Sequence, residues 1–299
     1  MLKFAHERAI LPALVTPFDH RGEINFAALD ALADRLLEDG VDGFYATGST
    51  GEALLMSTEE RKQVAEAVLR RVDGRIPVIV QVGSTNPREA MELARHAADH
   101  GASAVSSVPP FYYKYSTAEL KEFYFRLADA AGLPVLVYNV SVYTGVDFNM
   151  QNAGDLLTDS RILGVKHTNY NLYTLNRFKV NCPGKLVFNG FDECLLGGLS
   201  MGADGAIGTS FNVLAPLVTR IRDLFLENRM QEALAAQNLL NDYVDAIIKV
   251  GVIGATKYAL TLQGIDAGLC REPNAPISAE GKRVMEETMA RLRAQGAAR

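Results

Sequence analysis

Long apolar runs are missing from this chain. Nothing in it approaches the roughly eighteen consecutive apolar residues of a membrane-spanning helix, so no span is expected. The opening residues, MLKFAHERAI, lack the extended apolar core of a secretory signal. Cysteine is scarce. Cys182, Cys194 and Cys270 show neither a CxxC pair nor a zinc-ligand spacing, and an odd count in so long a chain suits a reducing compartment. Basic charge is also in deficit. The 30 Lys and Arg face 35 Asp and Glu, a formal net charge of −5, so no overall basic field would recruit nucleic acid or anionic lipid. A soluble, cytoplasmic protein without nucleic-acid or membrane partners is expected.

What is present is an ordinary globular composition, 48% hydrophobic and 22% charged over 299 residues, with enough apolar material for a large core. Such a length could make two average domains, but α/β barrels often run this long as one. Apolar segments at Ala9–Val15, Gly43–Ala46, Pro77–Gly83, Ala104–Val108, Pro134–Val140, Ile162–His167, Leu186–Gly190 and Asp204–Gly208 read as strands. Helix signals fall between them. Asn25 precedes Leu29, Leu32 and Leu36 at helical spacing, Ser57 and Glu60 have capping-box spacing, and Asn86-Pro87 joins a cap to a first-turn proline. Strands this uniformly apolar require a parallel sheet covered by helices. About eight strand–helix units point to a (β/α)8 TIM barrel over residues 1–228. An open doubly wound sheet is the alternative, but no GxGxxG follows the first strand. Residues 229–299 read as helices alone, at Gln231–Val250, Thr256–Gln263 and Ala279–Arg293, a C-terminal helical extension packed on the barrel as one structural unit.

In such a barrel the reaction site lies at the strand C-termini, and the polar residues fall there. Lys166 ends the apolar run Ile162–Val165. Burying an ammonium costs its hydration. A lysine so placed either snorkels to solvent or, desolvated to a pKa of ~7.5, becomes an amine nucleophile that forms a Schiff base. The segment Thr47-Gly-Ser-Thr-Gly-Glu52 is either a tight turn or an anion cradle of N–H groups and hydroxyls. Tyr138 is either a packed phenol or a proton-transfer group. Tyr112, Asp192, Glu193, Gly208 and Thr209 follow strands four, seven and eight. His167 should point away from Lys166 by strand alternation and is read as structural; His96 and His100 sit on an outer helix without a role. One assembly makes the set coherent. A neutral lysine attacks a 2-oxo acid, the cradle holds the carboxylate, and a tyrosine moves the proton that permits carbon–carbon cleavage, with no metal or organic cofactor required.

With Gly48-Ser-Thr-Gly-Glu52, Tyr138-Asn139, Gly164-Val-Lys166 and Gly190-Phe-Asp-Glu193 in order and at similar spacing, nearly the whole chain resembles the pyruvate-dependent class I aldolase family. That family includes dihydrodipicolinate synthase and N-acetylneuraminate lyase. The resemblance implies a (β/α)8 barrel with a C-terminal helical extension, a homotetramer, and Schiff-base chemistry on pyruvate. By position, Lys166 would be the Schiff-base lysine and Tyr138 the phenol at the reacting hydroxyl. Ser49 and Thr50 would hold the pyruvyl carboxylate, and Tyr112 would reach a neighbouring subunit's site and relay protons through the threonine.

The synthase branch usually carries a basic residue where Tyr143 stands, and a phenol cannot pair with a second carboxylate. The lyase branch resembles Phe188-Asn-Gly-Phe-Asp-Glu193 and Gly202-Ala-Asp-Gly-Ala-Ile-Gly208 more closely. In that branch Thr168, Gly190, Asp192, Glu193, Gly208 and Thr209 would read the polyhydroxylated tail. Thr47, Ser141, Tyr143 and Thr209 depart from the family's usual residues near the expected sugar site. The expectation is reversible cleavage of N-acetylneuraminate to pyruvate and N-acetylmannosamine. The alternatives are an aldolase or dehydratase for another 2-keto-3-deoxy sugar acid, a dihydrodipicolinate synthase-like enzyme, and a barrel that binds a 2-oxo acid without turnover.

Overall fold

A computed structural model describes residues 2–299. Its strands are β1 (Ala9–Pro12), β2 (Phe44–Ala46), β3 (Val78–Gln81), β4 (Ala104–Ser107), β5 (Val135–Asn139), β6 (Ile162–His167), β7 (Leu186–Asn189) and β8 (Gly205–Gly208). All pair in parallel, each with its neighbour in sequence, and β1 lies beside β8. A bridge from Ala13 to Tyr45 brings β1 against β2 and completes the ring of a TIM barrel. Close approach at the β1–β8 seam needs a glycine: a Cβ on Gly205 would stand 2.0 Å from the Ala9 carbonyl oxygen.

Helices alternate with the strands: α1 (Phe26–Glu38), α2 (Thr58–Val72), α3 (Pro87–Asp99), α4 (Thr117–Ala131), α5 (Ser141–Thr144), α6 (Met150–Thr158), α7 (Leu172–Asn181), α8 (Leu195–Ser200) and α9 (Phe211–Leu226). The expected caps form. Asn25 accepts from the Ala28 N–H, and Ser57 with Glu60 closes a full capping box. Pro216 inside α9 has no N–H for the Asn212 carbonyl; Arg35 supplies the missing donor at 2.6 Å. Three helices follow, α10 (Met230–Val250), α11 (Val252–Leu262) and α12 (Ala279–Ala294). The second begins earlier than its apolar spacing indicated, because Gly251, at φ 102, turns the chain at once out of α10. No described helix is long and apolar enough to cross a membrane.

Strand alternation sorts side chains between two cores. Leu11, Ile79, Leu136 and Ile207 fill the barrel, while Ile10, Val80, Val137 and Ala206 pack under the helices. In β6 the same rule sends Val165 outward and Lys166 inward. His167 goes outward, as strand alternation requires. Its ring meets Asn139 and the Asn171 carbonyl, each at 3.1 Å, and sits edge-on to Phe178.

Candidate active site

The inward face of β6 carries Lys166 to the upper end of the barrel. Its side chain is buried, with 4% of its surface exposed. Its Nζ lies 4.3 Å from the centre of the Tyr45 ring and 4.2 Å from that of Tyr138, the residue opposite it on β5. The two rings turn their faces to this nitrogen, and Lys166 has no carboxylate partner among the described residues. The buried ion pairs of the barrel, Asp42–Arg222 and Glu52–Lys257, use other cations. Tyr45 is fixed from behind: its hydroxyl donates to Ser106 at 3.0 Å, and burial holds its phenol protonated far above the usual range. Tyr138 makes no comparable bond to a described residue and edges against Tyr45, ring centres 6.0 Å apart. A cavity of about 570 Å³ opens above the amine.

The turn after β2 forms one wall. Thr47 enters it at φ 54, a left-handed conformation that is strained for a β-branched residue, and its hydroxyl is 2.7 Å from the Gln81 carbonyl. Arg61 grips the same carbonyl at 3.0 Å; burial lowers its guanidinium to about 10. Within the turn the N–H groups of Gly51, Glu52 and Ala53 bond back to Gly48 and Ser49. Those of Ser49 and Thr50 have no partner among the described residues and stand at the cavity, as an anion cradle would require. The Thr50 hydroxyl meets that of Thr209 at 2.7 Å.

Glu52, at φ 57, anchors the turn from below. One oxygen pairs with Lys257 of α11 at 2.6 Å, and the other accepts from the Arg271 N–H and Asn274. Sequence reasoning missed this anchor and Arg61. Both cations belong to helix patterns that otherwise read as solvent-facing or core, and only their burial reveals them.

Opposite lies an acidic wall. Asp192 is buried, and burial lifts its carboxyl to about 6, against the opposing pull of the Ser210 N–H bonded at 2.7 Å. Gly208 does not line the cavity. Its place is explained by Asp192, since a Cβ there would fall 2.1 Å from the carboxylate oxygen. Gly190 stands likewise against Thr168: a Cβ would be 1.9 Å from a hydroxyl that is buried and has no partner. Glu193 accepts from the Tyr170 hydroxyl at 2.7 Å, and Tyr170 stacks on Phe191. Tyr112 lies outside the cavity, 84% exposed and at φ 81. Tyr143 stands at the mouth. The extension completes the enclosure with Val244, Ile247 and Ile248 of α10 and Val252 and Ile253 of α11, a contribution hidden in an ordinary apolar stripe.

Among the described lining residues Lys166 is the sole cation, against Glu52, Asp192 and Glu193. The arrangement suits one carboxylate held by a neutral cradle, one carbonyl at the amine, and a hydroxyl-rich remainder.

Comparison with known proteins agrees with this geometry. The N-acetylneuraminate lyase of Rhizobium meliloti (strain 1021) is 37% identical over 281 residues, 94% of each chain. That of Actinobacillus pleuropneumoniae serotype 5b (strain L20) is 39% identical over 265 residues, 88% of this chain and 91% of its own. The crystal structure of CdNal from Clostridium difficile in complex with mannosamine superposes with a TM-score of 0.93 at 36% identity, covering 96% of this chain and 99% of that one. A family model, the dihydrodipicolinate synthetase family, matches residues 6–292. With the match running almost end to end, the chain belongs to the dihydrodipicolinate synthetase family.

Proposed function

We propose that the protein is a Schiff-base lyase that cleaves N-acetylneuraminate reversibly to pyruvate and N-acetylmannosamine. What carries this is the Lys166 amine, buried at a cavity and without a carboxylate partner among the described residues. The nitrogen adds to the C2 carbonyl of the open-chain sugar acid, and loss of water leaves an iminium. Ser49 and Thr50 hold the C1 carboxylate through their N–H groups and hydroxyls. Tyr138 takes the proton of the C4 hydroxyl while passing its own to the C1 carboxylate as the C3–C4 bond breaks. The bonding pair moves onto the iminium, giving an enamine and the free aldehyde. Protonation at C3 and hydrolysis then release pyruvate and restore the amine. The rings of Tyr45 and Tyr138 stabilise positive charge at the nitrogen throughout. Thr168, Gly190, Asp192, Glu193 and Thr209 read the tail, with Gly208 making room for Asp192.

The lone cation of the lining argues against a synthase, whose aldehyde brings a second carboxylate. The similarity to lyases named for N-acetylneuraminate supports the sugar assignment. In this proposal the enzyme is cytoplasmic and tetrameric, with the exposed Tyr112–Tyr113 pair covered by a neighbouring subunit.

Incubation with pyruvate and borohydride should add a reduced pyruvyl group to Lys166, located by peptide mass; Lys166→Ala should abolish both adduct and turnover. An adduct elsewhere, or turnover that survives, would show that another residue is the nucleophile. A second reading, a 2-keto-3-deoxy sugar acid lacking the acetamido group, is favoured by the bond that ties Glu193 to Tyr170. Pyruvate release across a panel of sialic and 3-deoxy sugar acids separates the two, by whichever has the greater kcat/KM.

A further inference from the structure

Remote from the cavity, α3 carries two histidines one helical turn apart, His96 and His100, on the side that packs against α2. Their rings lie 4.1 Å apart, tilted by 30°. The His100 Nδ1 is 2.8 Å from the His96 carbonyl, which fixes this nitrogen as the protonated one. Its Nε2 is left as a free lone pair, the arrangement of a metal-ligating imidazole whose other N–H is held by a backbone oxygen. Across from it, on α2, the Glu66 carboxylate stands 3.9 Å from that Nε2. One ligand atom from each of Glu66, His96 and His100 lies within 4.8 Å of the others.

We propose that Glu66, His96 and His100 form a divalent transition-metal site, of which zinc is the representative ion, bridging α2 and α3. Two imidazoles and a carboxylate at ~2.0–2.1 Å from a tetrahedral zinc stand about 3.3 Å apart, so closure needs side-chain rotation of little more than an ångström. Nitrogen and oxygen donors select the borderline ions of the first transition row over magnesium or calcium. Two cations stand nearby. Arg70 reaches the Glu66 carboxylate at 3.9 Å from an exposed position one turn along α2, and Lys62 is drawn aside by Glu92 and Glu59. The site lies at the C-terminal end of α3, just before β4 begins, on the side of the barrel opposite the strand ends that bear Lys166. It therefore fastens two helices and takes no part in cleavage.

The test uses the full chain without a histidine tag, stripped by chelator and titrated with zinc by calorimetry. One ion per chain is expected, with affinity falling roughly tenfold or more in each of His96→Gln and His100→Gln. Zinc at a hundredfold excess over the parent's dissociation constant should raise Tm by about 5 °C in the parent chain and by about half of that or less in each variant. Pyruvate release should be the same with chelator, with zinc and in both variants, so the outcome is independent of the proposed reaction. Absence of saturable binding, or affinity unchanged in the two variants, overturns the site. Both positions are on the surface, and circular dichroism of the variants checks that loss of binding is not loss of fold.

Discussion

Replacing Asp192 by asparagine should make the protein more stable and a poorer catalyst, and the stability gain should depend on pH. Burial lifts this carboxyl from 3.8 to about 6 in the folded chain. A difference of two units is worth roughly 3 kcal/mol. The folded carboxyl keeps its proton to higher pH than the unfolded one. Its contribution is thus fully present below the unfolded value and is lost as pH rises through about 6. At pH 5 about half of the penalty has been incurred, and by pH 8 all of it, a further ~1.4 kcal/mol. Asparagine does not titrate, and any fixed cost of its amide cancels when the two pH values are compared. The stability difference between variant and parent, from urea midpoints, should therefore widen by about 1.4 kcal/mol from pH 5 to pH 8. Over the same comparison kcat/KM for the sugar acid should fall by roughly tenfold to a hundredfold, as an anionic hydroxyl acceptor is lost. Pyruvate trapping should persist, because the carboxylate cradle and amine are untouched. A difference that stays flat with pH would mean that Asp192 does not titrate where its burial places it.

Two further substitutions probe the opposite walls. Tyr138→Phe should lower kcat by roughly 10² or more with pyruvate trapping retained, and a loss of only a few-fold would reduce the phenol to packing. Lys257→Met strands the Glu52 carboxylate in the interior and should cost about 3–5 kcal/mol in stability while raising KM for pyruvate. Adding Glu52→Gln to it should recover much of that loss; if the double variant is no more stable, the pair is not what supports the turn.

The barrel was legible because its signals are local and repeated. Strand β6 has the bounds that its apolar run indicated, Ile162–His167, and the caps at Asn25, Ser57 and Asn86 are set by side chains within three residues of the bond they make. Period-two alternation also placed Lys166 and His167 on opposite sides before any coordinates. What stayed hidden was long-range. Glu52 and Lys257 are 205 positions apart, and nothing in a helix pattern at Val252–Leu262 says that one of its lysines faces inward. The same holds for the apolar roof of the cavity. Val244 and Ile247 look like any buried helical stripe, and only tertiary packing turns that stripe toward the amine. At Gly208 the structure adds a constraint that the sequence does not show, since a Cβ there would meet Asp192, a neighbour sixteen residues away.

The anchoring of Glu52 limits how this catalyst could be miniaturised. A designer who trimmed the chain after α9, keeping all eight strands, would leave the turn after β2, the proposed carboxylate cradle, with the counter-ion of Glu52 deleted and the cavity's hydrophobic ceiling gone. The last three helices thus hold the cavity's mouth in shape from above, as the strands do from below, and a shortened chain would have to replace both supports.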